Sequence, residues 1–125
     1  MILSEADAFL APVREIDGFI LACLMDASTG MVLASRQDRE GISLPAAAAG
    51  AADIANVLSL LSGKLATDDE FEDVMVTFSN NFHVICQVRP DSGPQFLLLV
   101  ILDRSRTNLA IARREIRNFC ASFAS

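Results

Sequence analysis

Apolar and polar positions alternate along this chain in a pattern that predicts eight elements. Apolar residues at helical spacing predict a first helix that ends at Asp17-Gly18 and that Pro12 bends or shortens. They also predict a second helix from about Pro45 to Leu61, with Gly63 as its stop signal, and a third from about Thr107 to Phe123. Continuous or alternating apolar runs predict five strands, at Phe19 to Met25, Met31 to Ala34, Phe71 to Ser79, Phe82 to Val88 and Phe96 to Leu102.

The predicted order α-β-β-α-β-β-β-α constrains the architecture. Short turns join neighbouring strands, so the strands should pair as antiparallel hairpins. The first and fifth strands are apolar on both faces, which is typical of central strands. Placing them side by side predicts one α/β domain of the α+β type over residues 1–125. Its five-stranded antiparallel sheet has the order 2-1-5-4-3, with two helices on one face and one on the other.

This order leaves the third predicted strand at an edge of the sheet, where its unpaired backbone could pair with a second copy. Glu72 and Asp73 could instead blunt that edge. The alanine-rich second helix could approach another helix closely, although alanine also simply favours helix and packs on a sheet. The predicted dimer interface contains Ala47, Gly50, Ala51, Ile54, Leu58, Val74, Met75, Val76 and Phe78.

Charge and composition narrow the classes of partner and compartment. The 125 residues include 10 basic and 16 acidic ones, a net charge of −6, which argues against nucleic-acid binding. Three widely spaced cysteines, Cys23, Cys86 and Cys120, lie in apolar runs and are expected to be buried thiols in a reducing compartment. The start of the chain has no signal-peptide pattern, and polar residues make the second helix a poor membrane span. A cytoplasmic protein without membrane insertion is expected.

No pattern for catalysis, cofactor or metal binding is found. His83 is the only histidine, and no cysteine stands at a recognised zinc spacing from it. Gly63-Lys64 resembles the end of a phosphate loop, but Leu58 and Leu65 stand where that motif needs glycine and a hydroxyl. The acidic residues between 68 and 73 do not match a calcium loop. The chain is therefore expected not to be an enzyme and to hold no cofactor or metal.

Several stretches together resemble the Roadblock/LC7 family. They are residues 13–18 (VREIDG) before the first strand, the hairpin residues 24–26 and 29–34 (LMD and TGMVLA), the alanine-rich second helix, Asp103-Arg104, and residues 108–113 (NLAIAR) at the start of the last helix. The resemblance implies a homodimer, or a heterodimer of related Roadblock chains, paired through the third strand and second helix. It also implies a role beside Ras-like small GTPases.

The function expected from this resemblance is a non-enzymatic dimeric regulator or scaffold that binds a Ras-like small GTPase in signalling. Arg36 and Arg39, on a predicted polar loop, are the candidates for contact with the GTPase. One alternative is a small-ligand sensor domain similar to PAS or profilin folds. It would need convergent polar groups in the interior, and the two central strands offer almost none. Another alternative is a scaffold subunit of a larger complex without a GTPase.

Overall fold

The N-terminal part of the domain is helical and ends in a sharp turn. A computed structural model describes residues 8–65, 68–89, 93 and 95–124. In α1, residues 8–10 are α-helical and Ala11–Glu15 form a 3-10 helix with Pro12 in its first turn, so the proline shortens the α-helix as expected. Gly18 then turns the chain at φ +85°, a conformation that favours glycine.

Five antiparallel strands form one sheet in the predicted order β2-β1-β5-β4-β3. Their bounds are Phe19–Asp26 (β1), Val32–Gln37 (β2), Asp73–Thr77 (β3), Asn81–Val88 (β4) and Phe96–Asp103 (β5). Long helices α2 (Leu44–Lys64) and α3 (Leu109–Ala124) complete the domain. The sheet order and the distribution of helices are confirmed.

The turn between β1 and β2 follows directly from its sequence. Asp26 Oδ1 accepts hydrogen bonds from the backbone N–H groups of Ser28 (2.8 Å) and Thr29 (3.0 Å). Gly30 supplies the left-handed residue at φ +74°. These local bonds bring the hairpin back on itself, and they lower the pKa of Asp26, with the Ser28 hydroxyl as the largest cause.

Two apolar clusters lie on opposite faces of the sheet. The cluster under α1 and α3 includes Val13, Val84, Val100 and Ile116, all fully buried. The cluster under α2 is formed by alternate residues of the same strands, such as Ile85 and Ile101. Strands β1 and β5 contribute to both clusters, which explains why their sequences are apolar without alternation.

Several predicted boundaries are corrected. Helix α2 passes through Gly63 to Lys64, so Gly63 is not its stop signal. Strand β3 is shorter than predicted, and Phe71 packs on the core without joining the ladder. Arg36 lies in β2, paired with Ala22, and not in a loop. The predicted strand bounds left residues 80 and 81 as the turn between β3 and β4. The turn instead consists of Ser79 and Asn80, because Phe78 N–H donates to the carbonyl of Asn81 at 2.8 Å.

Candidate protein-binding surface

Helix α2 lies on the sheet through small side chains. The Ser43 hydroxyl caps its first turn by accepting a hydrogen bond from Ala46 N–H at 3.3 Å. Ala48, Ala51 and Ala55, spaced three and four residues apart, are its buried residues. Methyl groups fill little of the space above the sheet. The larger apolar residues of α2 are consequently left on the sides and outer face of the helix.

The C-terminal half of α2 exposes large apolar side chains to solvent. Val57 is 62% exposed, Leu60 58%, Leu61 49% and Leu65, at the C-cap, 58%. We call these four residues the apolar α2 face. Contiguous exposed apolar side chains on a soluble domain typically mark a binding surface. Half of the eight exposed large hydrophobic residues in the described part of the chain belong to this face.

A groove of about 190 Å³ separates the N-terminal half of α2 from the edge of the sheet. We call it the α2/β3 groove. Its walls combine small residues of the helix with larger residues of the two outer strands: Ala46, Ala47, Gly50, Ala51, Ile54, Val76, Phe78, His83 and Ile85. Gly50 leaves space along the groove, because a Cβ built there meets nothing within 4 Å. An apolar side chain from another protein would fit such a surface.

His83 is the polar residue within this groove. It pairs with Val76 across β4 and β3, and its ring lies 4.7 Å from that of Phe78, centroid to centroid. Half-burial lowers the pKa of His83, since the charged imidazolium loses hydration there. The neutral imidazole is therefore favoured at neutral pH, and the groove presents no charge at that position.

The structure brings most of the predicted interface residues together. Six of the nine line the groove: Ala47, Gly50, Ala51, Ile54, Val76 and Phe78. Val74 packs against the core under α2, and Leu58 is half-buried on the helix. Met75 points to the opposite face, because it pairs with Val84 of the other cluster. The interface role of all nine stays a prediction.

Edge strand β3 is attached to α3 by ion pairs at its beginning. Arg113 donates two hydrogen bonds to Asp73, from Nε to Oδ2 at 2.8 Å and from a terminal nitrogen to Oδ1 at 3.0 Å. Arg117 pairs with Glu72 in the same region. The Asp73 side chain is only 7% exposed, so this fork is partly shielded from water. The acidic residues predicted to blunt the edge thus contact α3, and the outer backbone of β3 faces away from the sheet.

The two candidate arginines lie away from the groove. Arg36 is on the face of the sheet covered by α1 and α3, as its pairing with Ala22 requires. Arg39 follows β2 and reaches the ends of β4 and β5, where it contacts Asn81 Oδ1 at 3.4 Å and Asp103 Oδ2 at 3.7 Å. The contact of either residue with a GTPase stays a prediction.

The apolar α2 face was not predicted from the sequence, whereas His83 was expected on a strand at the surface or under a helix, where it lies. The exposed residues of that face continue the helical spacing of Ile54 and Leu58, so the signal was present in the sequence. Their exposure could not be predicted, because it depends on which face of α2 meets the sheet. Within the described residues no group of three His, Cys, Asp or Glu side chains is placed to hold a metal ion.

Length and composition alone would also allow α2 to cross a membrane. It is the one helix of the described part of the chain with this property, and only 17% of its most apolar window is buried. Asp53 stands exposed in the middle of the helix, and the three buried alanines already pack on the sheet. A charged side chain at the centre of a membrane-spanning helix is costly.

No protein-family model and no curated protein matches the chain, so the relationship to known proteins comes from structure. MglB from Myxococcus xanthus superposes with a TM-score of 0.80 at 18% identity, covering 98% of this chain and 86% of that one. A structure of MglB in a tetrameric arrangement gives 0.81 at 18% identity, covering 98% and 87%. A Roadblock/LC7 domain from Streptomyces avermitilis gives 0.75 at 15% identity, covering 93% and 92%.

The chain has the Roadblock/LC7 fold. The matches span nearly its whole described length, so the fold includes the sheet and the helices on both faces. In this Roadblock/LC7 fold, α2 covers one face of the sheet and β3 is an edge strand. The groove lies between α2 and β3, and the apolar α2 face lies further along the same helix.

Proposed function

We propose that this chain is a non-enzymatic Roadblock-type protein that pairs through α2 and β3 and acts as a regulator or scaffold for a Ras-like small GTPase. One observation carries the proposal: the apolar α2 face and the α2/β3 groove adjoin an open sheet edge. An edge strand offers backbone hydrogen bonds, and the neighbouring apolar surface offers burial. The two together suit a second copy of this chain or a related Roadblock chain.

The partner surface has a defined composition. It contains no tryptophan or tyrosine, because the chain has neither. Its anchors are therefore aliphatic side chains, Phe78 and the neutral His83 ring. A two-fold arrangement would place β3 beside the partner's β3 and α2 beside the partner's α2, with the small residue Gly50 allowing close approach. The MglB structure in a tetrameric arrangement supports self-association for this fold.

The GTPase part of the proposal rests on the sequence resemblance to the Roadblock/LC7 family and on the fold shared with MglB. A dimer presents two copies of each surface related by symmetry, and such a platform can hold the switch segments of a GTPase in one state. The sequence has no complete phosphate-loop motif, so the nucleotide in this proposal is bound by the GTPase.

Light scattering coupled to size-exclusion chromatography tests the pairing. Val76→Arg places a charge in the groove at the edge strand, and Leu60→Arg places one on the apolar α2 face; each is expected to give a monomer, or an aggregate for Val76→Arg. Ile111→Arg is the matched control, because Ile111 is 45% exposed on α3, on the other side of the sheet. A wild-type monomer at all concentrations, or a dimer retained by both variants, contradicts the proposed interface.

A capture experiment tests the GTPase. The wild-type protein is used as bait in lysate of the source organism with GDP and with a non-hydrolysable GTP analogue. A Ras-like GTPase enriched in one nucleotide state indicates a regulator or effector, and enrichment in both states indicates a scaffold. Repeating the capture with the double variant Arg36→Ala/Arg39→Ala as bait then tests whether these two arginines contact the GTPase. Absence of any GTPase with a folded dimeric bait contradicts the GTPase part and leaves the pairing intact.

The small-ligand sensor alternative is not favoured by the interior. Among the described residues the two apolar clusters contain no polar or charged side chain other than cysteine thiols. A ligand site between sheet and helix needs a few convergent polar groups for orientation, and neither apolar cluster provides them.

A further inference from the structure

Two of the three cysteines meet on the face of the sheet opposite α2. Cys86 lies in β4 and Cys120 lies in α3, and both belong to the apolar cluster under that helix. Each thiol is the largest cause of the other's shifted pKa, and the Cys86 thiol also donates a hydrogen bond to the carbonyl of Gln87 at 3.7 Å. The docking of α3 on the sheet therefore produces a dithiol pair from residues that are far apart in the sequence.

This pair borders a cleft open to solvent. The cleft has a volume of about 620 Å³ and is bounded by the acidic connector before β3 and by the last turns of α3. Cys86 is 4% exposed and Cys120 6% exposed, and both line it beside Arg117. Cys23 is a useful contrast, because it is fully buried in the other cluster. A small oxidant can reach the pair from the cleft, whereas Cys23 is enclosed.

The two sulfurs differ in chemistry. The hydrogen bond from the Cys120 thiol lowers the pKa of Cys86, and the charge of Arg117 acts in the same direction, while burial, Asp73 and Glu72 oppose them. The same hydrogen bond, together with burial, raises the pKa of Cys120. Burial alone raises the pKa of Cys23 to about 11. Because the thiolate is the nucleophile, Cys86 is the sulfur that reacts first.

We propose that Cys86 and Cys120 form a redox modification site, at which a hydroperoxide converts the dithiol into a disulfide between β4 and α3. The Cys86 thiolate attacks the O–O bond, which breaks, giving a sulfenic acid on Cys86 and releasing the alcohol, or water from hydrogen peroxide. Cys120 then attacks the sulfenic sulfur and loses its proton. The S–S bond forms, the S–OH bond breaks, and the hydroxide leaves as water. The two sulfurs are oxidised and the hydroperoxide is reduced.

The proposed disulfide has a defined structural effect. It ties α3 covalently to β4, beside the ion pairs by which Arg113 and Arg117 hold the beginning of β3. It lies across the sheet from the α2/β3 groove, so its formation does not depend on the proposed dimer or on a GTPase. Oxidation should therefore stabilise the sheet edge without removing the apolar α2 face.

Peroxide treatment of the full chain followed by alkylation tests the site. The wild-type protein is expected to lose two hydrogen atoms by intact mass, and peptide mapping should recover one Cys86–Cys120 disulfide within a single chain. Cys23 should remain alkylated, and dithiothreitol should reverse the change. The crosslink should raise Tm on the order of 10 °C relative to the reduced protein, because it removes freedom from the unfolded chain.

Two variants separate the steps. Cys23→Ser should form the disulfide as the wild type does. Cys120→Ser should form none, and its Cys86 should be trapped as a sulfenic acid by dimedone. Three alkylated thiols after peroxide, consumption of Cys23 as fast as Cys86, or a disulfide between chains would each overturn the proposal. The wild-type mapping decides the matter even if Cys120→Ser does not fold.

Discussion

Substitution of Gly50 by alanine separates the stability of one protomer from the pairing of two. Gly50 lies inside α2, and a Cβ there meets nothing within 4 Å. Within one protomer the new methyl group therefore costs no clash and removes the entropic penalty of a helical glycine, about 1 kcal/mol. For a domain of this size that gain corresponds to a Tm higher by roughly 4 °C.

The same methyl group acts differently if two α2 helices pack closely at Gly50. It then fills the contact from both protomers, and overpacking of this kind costs about 1–3 kcal/mol. The dissociation constant should rise about tenfold for each 1.4 kcal/mol. Gly63→Ala is the matched control: it also lies in α2 with open space around a new Cβ, but outside the groove. It should stabilise the fold slightly and leave the dissociation constant unchanged.

Sedimentation velocity over a dilution series gives the dissociation constant. Thermal unfolding at several concentrations gives the stability of the single protomer. Gly50→Ala should therefore raise the dissociation constant and also raise the Tm of the monomeric protein. If Gly50→Ala left the dissociation constant at the wild-type value, α2 would not pair closely there. If it lowered Tm at concentrations where the protein is monomeric, the open space around Gly50 would be contradicted.

Three further predictions concern particular contacts. Gly18→Ala should lower the free energy of unfolding measured in urea by about 1–3 kcal/mol, because φ is +85° and the new Cβ would lie 3.0 Å from the carbonyl oxygen of Asp103. The control Gly41→Ala, at φ +99° with no atom near the new Cβ, should lower it less. Arg113→Ala should lower Tm because it leaves the shielded Asp73 carboxylate unpaired, and Arg113→Lys should recover only part, as it cannot form the fork. Because the pKa of His83 is lowered in the folded protein, the unfolded chain binds the proton more readily. The contribution of His83 to the free energy of unfolding should therefore be constant above about pH 6.5 and fall below it. If His83→Gln lost stability below about pH 6.5 as the wild type does, this cause would be refuted.

The sheet was predictable because its information is local and redundant. The runs of β1 and β5 are apolar at every position, and a strand of that kind needs cover on both faces. Short turns with Gly30 and Asn80 then fix antiparallel neighbours, so few other orders remain. The order β2-β1-β5-β4-β3 followed from these constraints alone.

Boundaries were less predictable, since side-chain patterns do not determine where backbone pairing ends. Arg36 extends β2 beyond its apolar run, because an edge ladder tolerates polar side chains on a partly exposed face. Gly63 does not end α2, since a helical glycine costs only about 1 kcal/mol and the neighbouring turn supplies hydrogen bonds, including Leu65 N–H to the carbonyl of Leu61 at 3.0 Å.

The surface was predictable in outline and not in detail. Helical spacing placed Ala47, Gly50 and Ile54 on one side of α2, and the strand order placed Val76 at the edge. The structure shows that these residues meet in one groove. The rotation of α2 about its axis does not follow from the sequence, because alanine occupies both its buried and its exposed positions. That rotation decides that Val57 and Leu60 point outward.

The proximity of Cys86 and Cys120 likewise depends on how a helix packs on the sheet, in this case α3. Each cysteine lies in an apolar stripe that predicts burial and nothing more. Only the docking of α3 on β4 brings the two sulfurs together, on the face of the sheet that α2 does not cover. The two faces therefore have separate chemistry. One carries exposed aliphatic groups and a neutral imidazole, and the other carries two thiols beside a solvent cleft. A change on one face can consequently be tested while the other stays as it is.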